Sequence, residues 1–112
     1  KGYGLSDATM KDTPVVYDQD EALKDADFVY VKNWCNYENY GKVLATVDSH
    51  RSWTITDKKL GNAKFMHCLP VRRNVIVADE VLDGEQSVVI EQANNRTFSA
   101  QVVLKKILEN LN

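Results

Sequence analysis

Two short apolar runs constrain the fold of this chain more than any other feature. Phe28-Val29-Tyr30-Val31 is β-branched and aromatic throughout, and Lys64-Phe65-Met66-His67-Cys68-Leu69 is largely apolar until it meets Pro70. The first has the composition of a strand covered on both faces, as in a parallel sheet, and the second reads as another buried strand. A third run, Ser87-Val88-Val89-Ile90, reads the same way. Pro14-Val15-Val16-Tyr17 predicts a shorter strand, with proline at the first position where a missing N–H costs least.

Helical segments separate these runs. Asp18 or Asp20 is placed to cap a short helix over 21–26. Weak periodicity over 43–47 predicts a possible helical stretch, and 54–61 reads as a short helix with a threonine cap and Gly61 just past its end. Residues 78–84 repeat that pattern and end at Gly84. The last helix, placed at about 97–111, is the clearest element. Ala100, Val103, Leu104, Ile107, Leu108 and Leu111 form one apolar stripe at helical spacing, opposite Gln101, Lys105, Lys106, Glu109 and Asn110.

Strands alternating with helices predict an α/β fold: part of a Rossmann-like layer, with a mostly parallel sheet flanked by helices and a long C-terminal helix at the end. Four short strands make a thin sheet for an independent domain, and the chain opens on Lys1 without an initiator methionine. Both features predict a piece of something longer.

Composition narrows the function classes. A chain of 112 residues holds one domain, and 44% hydrophobic with 27% charged residues is ordinary for a globular protein. A net charge of −2 argues against a nucleic-acid partner, which wants a basic face. No apolar run is long enough to span a bilayer, and no secretory signal opens the chain. Two cysteines fit thiols in a reducing cytoplasm better than a disulfide framework.

In open parallel sheets, ligands sit beyond the carboxyl ends of the strands. Three runs here end in suitable groups: Lys32-Asn33-Trp34; Cys68-Leu69-Pro70 with Arg72 and Arg73; and Glu91-Gln92 with Asn94, Asn95 and Arg96. Parallel strands would bring all three to one rim, suited to a small anion. Arg96, read as standing just before the terminal helix, would oppose its dipole by about 0.3–1 kcal/mol. A phosphate-like ligand there would reverse the penalty. His67 and Cys68 are strand neighbours pointing to opposite faces, which rules out a Cys–His dyad. A zinc set of Cys35, His50, His67 and Cys68 matches no ligand spacing.

His67-Cys68-Leu69-Pro70 resembles the signature of the ornithine carbamoyltransferases. Asn94-Asn95-Arg96, after Glu91-Gln92-Ala93, resembles their C-terminal segment, which ends in a carbamoyl-phosphate-binding arginine. The resemblance covers essentially the whole chain. Where enzymes for free ornithine carry an Asp-x-Trp motif for its α-ammonium, this chain has Lys32-Asn33-Trp34. A lysine repels an ammonium and suits a substrate whose α-nitrogen is acylated. With Leu69-Pro70-Val71-Arg72-Arg73-Asn74, this is similar to the N-acetylornithine and N-succinylornithine carbamoyltransferases. Acetyl-specific members carry a carboxylated lysine two positions beyond the asparagine, where this chain has Ile76. That difference favours the succinyl type.

The resemblance implies residues 1–112 of an incomplete C-terminal, ornithine-type substrate domain, whose terminal helix docks on a missing N-terminal carbamoyl-phosphate domain. The Ser-x-Arg-Thr-Arg loop and His-Pro-x-x-Gln segment of that domain do not occur here. It further implies a cytoplasmic homotrimer in arginine biosynthesis, transferring a carbamoyl group from carbamoyl phosphate to the δ-amine of an N-acylornithine. No metal, cofactor or covalent intermediate is expected. Cys68 and Leu69 are expected at the reacting centre, with Arg96 on carbamoyl phosphate. Lys32, His67, Arg72 and Arg73 are expected to bind the amino-acid substrate, with one arginine on the acyl carboxylate and a structural role as the alternative for the other. The rival is a non-catalytic ligand-binding or interaction module that kept the fold.

Overall fold

The computed structural model describes residues 13–34 and 50–111. The helix expected over 43–47 and Cys35 lie outside the described residues.

Strands β1 (Phe28–Val31) and β2 (Lys64–His67) pair in parallel, in register from Phe28 opposite Lys64 to Val31 opposite His67. Side chains alternate along a strand, so odd positions share one face and even positions the other. The odd face is the core face: Val29, Phe65 and His67 are buried. The even face carries Phe28 and Tyr30, both exposed among the described residues, where cover on both faces was expected.

The other two expected strands do not form. Residues 14–17 are exposed and join no ladder. At 87–90 the ladder is a single parallel bridge, Ser87 to Phe65, in which Phe65 N–H donates to the Gln86 carbonyl and Val88 N–H to the Phe65 carbonyl, both at 2.9 Å. The chain then enters a helix at Val89. Val88, Val89 and Ile90 are β-branched and look like strand, but that preference amounts to a few tenths of a kcal/mol each. A 21-residue helix and the burial of Val89 in the core outweigh it.

The helices otherwise follow their local chemistry. Helix α1 (Gln19–Leu23) is capped by Asp18, whose Oδ1 accepts from Glu21 N–H at 2.9 Å. A 3-10 turn (Arg51–Trp53) leads into Thr54 and Ile55. Helix α2 (Asp57–Leu60) starts later than expected, because Ile55 is used in a parallel bridge to Val77. It ends at Gly61 as anticipated, with φ of 58°, a left-handed conformation that favours glycine. Helix α3 (Asp79–Leu82) is followed by Gly84, where a Cβ would stand 2.5 Å from the Glu80 carbonyl oxygen.

Helix α4 (Val89–Glu109) is the element placed at about 97–111 from its stripe. Its apolar residues extend further back, and among its residues only Val89 is buried. Val103, Leu104, Ile107 and Leu108 are all more than half exposed. The core lies at the other end of the molecule, where Val29, Ile55, Phe65, Val77 and Val81 pack together. Complete burial of Phe65 alone contributes roughly 1.5–3 kcal/mol.

Candidate active site

Parallel pairing of β1 and β2 sends both carboxyl ends to one rim. Lys32 follows Val31 and Cys68 follows His67, so the register sets them side by side, one residue beyond the sheet. Both are exposed. The two loops are tied at once: Asn33 Nδ2 donates to the Pro70 carbonyl at 3.1 Å. The Leu69–Pro70 peptide is cis, and Leu69 is 44% exposed. Trp34 packs with the His50 ring at a 6.0 Å centroid distance, and His50 continues to Trp53 at 6.3 Å.

His67 and Cys68 diverge as strand neighbours must. His67 is 1% exposed on the core face, while the Cys68 thiol is free and exposed. From sequence, His67 is expected to bind the amino-acid substrate. The ring is buried, but neither nitrogen makes a well-formed hydrogen bond. Burial lowers its pKa below the usual histidine value, because the charged form loses its hydration, and the Cys68 backbone offsets this only in part.

The third cluster reaches the rim through Gln92. Its Oε1 accepts the His67 N–H at 3.0 Å, the next ladder position after the Phe65 bridge. The missing third strand is thus replaced at that point by a side-chain amide. The Tyr30 hydroxyl, on the exposed face, feels the electrostatics of the Cys68 thiol and the Gln92 carboxamide. Its pKa is raised, first by its interaction with Cys68 and then by partial loss of hydration. Neither Gln92 nor Tyr30 was assigned a role from sequence. The available signal was the spacing of Gln92 and Arg96, one helical turn apart on one face.

Arg96 is exposed and sits in the interior of α4, not before it. The dipole argument therefore fails for this residue, since free backbone N–H groups belong to the first turn only. Any anion at Arg96 is held by the guanidinium itself.

The adjacent arginines separate cleanly. Arg73 Nη1 and Nη2 donate to the Asp83 carboxylate at 2.6 and 2.7 Å, and Nη1 also to Asp79 at 2.8 Å. Arg73 is held above its ordinary pKa by Asp83 and then Asp79, and both aspartates are held below the usual carboxylate range by Arg73. Asn74 joins this latch in a left-handed conformation (φ 56°), donating to Asp79 Oδ2 at 2.7 Å and accepting Asp79 N–H at 3.2 Å. The turn before α3 closes through Ile76 N–H to the Arg72 carbonyl (3.0 Å) and Asn74 N–H to the Val77 carbonyl (2.7 Å). Arg72 is exposed, and its guanidinium has no hydrogen-bond or ion-pair partner among the described residues. Ile76 is 1% exposed, so its apolar side chain belongs to the interior.

The fold is thus an α/β layer with a cationic rim at the carboxyl ends of parallel strands. Residues 6–107 match the family model for the Asp/Orn binding domain of aspartate/ornithine carbamoyltransferase. The chain belongs to this family. It is 50% identical to an N-succinylornithine carbamoyltransferase of Bacteroides fragilis over 99% of its own length and 36% of that protein's. Among solved structures it resembles the ornithine carbamoyltransferase from Pyrococcus furiosus, with a TM-score of 0.69 and 32% identity over 80% of this chain and 30% of that one. It also resembles an N-acetyl-L-ornithine transcarbamylase variant complexed with carbamyl phosphate and N-succinyl-L-norvaline, with a TM-score of 0.62 and 35% identity over 73% of this chain and 26% of that one. The chain spans about a third of the length of the relatives it matches.

Proposed function

We propose that this chain is the amino-acid-substrate half of an N-acylornithine carbamoyltransferase, with N-succinylornithine as the preferred acceptor. The observation that carries the reading is the Lys32–Cys68 rim, which presents a cation where a free α-ammonium would have to bind; four residues beyond Cys68, the exposed Arg72 guanidinium has no partner among the described residues. A substrate with an acylated nitrogen and a terminal carboxylate fits that charge pattern; ornithine does not. The 50% identity to an N-succinylornithine enzyme supports the same choice, as does buried Ile76, which leaves an ionised carbamate no polar surroundings.

In this reading the δ-amine attacks the carbamoyl carbon of carbamoyl phosphate, a tetrahedral intermediate forms, and phosphate leaves. Arg96 holds phosphate oxygens by charge-assisted hydrogen bonds. The Cys68–Leu69 backbone and the Cys68 thiol orient the amine at the carbonyl, so that rate comes from positioning and from stabilising oxygen charge. Lys32 and Arg72 hold the two carboxylates of the acyl substrate. Arg73 serves the site indirectly, by latching the turn that carries Arg72. The remaining active-site groups come from the rest of the protein, on which the exposed stripe of α4 docks. The whole enzyme is accordingly read as a cytoplasmic homotrimer serving arginine biosynthesis.

The test is a pair of substitutions in the full-length enzyme. Losing a charge-assisted contact of about 2 kcal/mol corresponds to roughly thirtyfold, so Arg72→Ala should raise KM for N-succinylornithine by that order and leave KM for carbamoyl phosphate nearly unchanged. Arg96→Ala should do the reverse. Equal effects of both variants on both substrates would contradict these assignments.

A further inference from the structure

We infer that Gln92 is a positioning residue for carbamoyl transfer, setting the end of β2 against α4 so that Cys68–Leu69 and Arg96 meet one ligand. The inference rests on the reading above and adds to it a residue with no assigned role. Gln92 lies in the first turns of α4, and its Oε1 takes the last ladder hydrogen bond of β2, from His67 N–H at 3.0 Å. The next residue along the strand is Cys68. One side-chain amide therefore joins two parts of the site, the β2 backbone and the helix.

Arg96 stands one turn further along the same helix face, about 6 Å along the axis. With α4 otherwise exposed beyond Val89, few contacts fix its rotation about its own axis. The Gln92–His67 bond fixes it at the point nearest the rim, and with it the direction in which Arg96 leaves the helix.

The Arg72 turn is anchored separately, through Arg73 and Asn74 to Asp79 on α3 and Asp83 just past its end. Gln92 and Arg73 thus hold different halves of the site. Loss of the Gln92 amide disturbs the reacting centre and spares the grip on the acyl carboxylate, which separates the two kinetic constants.

In full-length enzyme, wild type is first assayed for its preferred acylornithine. No turnover of any N-acylornithine would refute the function proposed above, not this inference. Gln92→Met, close in volume and without the amide, is then compared with wild type per folded active site. The expected result is a fall in kcat of about tenfold or more, with KM for the acylornithine within about twofold. Unchanged kcat in folded Gln92→Met overturns the inference, as does a rise in acylornithine KM with unchanged kcat. A purely structural role would lower the unfolding temperature and leave the constants of the folded enzyme intact. If the methionine variant does not fold, Gln92→Asn, which keeps the amide but withdraws it by one methylene, replaces it. The same kcat loss is expected, and wild-type kcat would be fatal to the inference.

Discussion

At the scale of single residues, charge state decides the roles. Arg72 and Arg73 are neighbours of one type, and their sequence context alone does not separate them. Asp79 and Asp83, one helical turn apart, were the visible hint that one arginine had a structural partner. Breaking that latch should loosen Arg72 without removing it, so Arg73→Ala is expected to raise KM for the acylornithine about three- to tenfold, less than Arg72→Ala does. Asp79 and Asp83 have lowered pKa values in the folded chain. Their contribution to stability is present above the ordinary aspartate value near 4 and is lost as pH falls through the lower folded values. His67 acts in a higher window. Its folded pKa lies below the usual 6.5 because it is buried. Stability attributable to it is present above about pH 6.5 and declines as pH falls toward the folded value, by at most about 1.4 kcal/mol per pH unit. Urea unfolding between pH 7 and 5 should show this slope in wild type and lose it in His67→Leu; an equal slope in both would contradict it.

At the scale of elements, both paired strands were legible because β-branched and aromatic runs of that length have few alternatives. Asp18 and Gly61 marked their helix ends for equally local reasons. The run at 87–90 was misread because propensity is weak against tertiary context: the strand is one bridge long, and Gln92, four residues after Val88, supplies the next hydrogen bond from a helix. The rim itself was legible in part, since parallel pairing brings Lys32 and Cys68 together as expected. The setting of Arg96 was not, because its helix begins before the apolar stripe becomes regular. Close packing at α3 gives a direct check. Gly84→Ala would put a Cβ 2.5 Å from the Glu80 carbonyl oxygen, so it should destabilise the protein by about 1–3 kcal/mol in denaturant unfolding.

At the scale of the whole molecule, α4 carries an apolar stripe that this chain leaves exposed. Contiguous apolar surface of that kind marks an interface. If it docks on the rest of the full-length protein, Leu104→Glu there should cost about 2–5 kcal/mol, as a buried leucine does. Lys106→Gln, on the opposite side of the helix and 72% exposed, should stay within about 0.5 kcal/mol of wild type. Similar small effects of both would remove the docking surface from the account. The central claim is about substrate, and the most direct measurement is kcat/KM of the full-length enzyme for N-succinylornithine, N-acetylornithine and ornithine under saturating carbamoyl phosphate. The account predicts the order succinyl, acetyl, ornithine, with ornithine at least about a hundredfold below the first, since its α-ammonium meets Lys32 and it offers Arg72 no acyl carboxylate. Preference for ornithine would contradict the role of Lys32, and preference for N-acetylornithine the roles of Arg72 and Ile76.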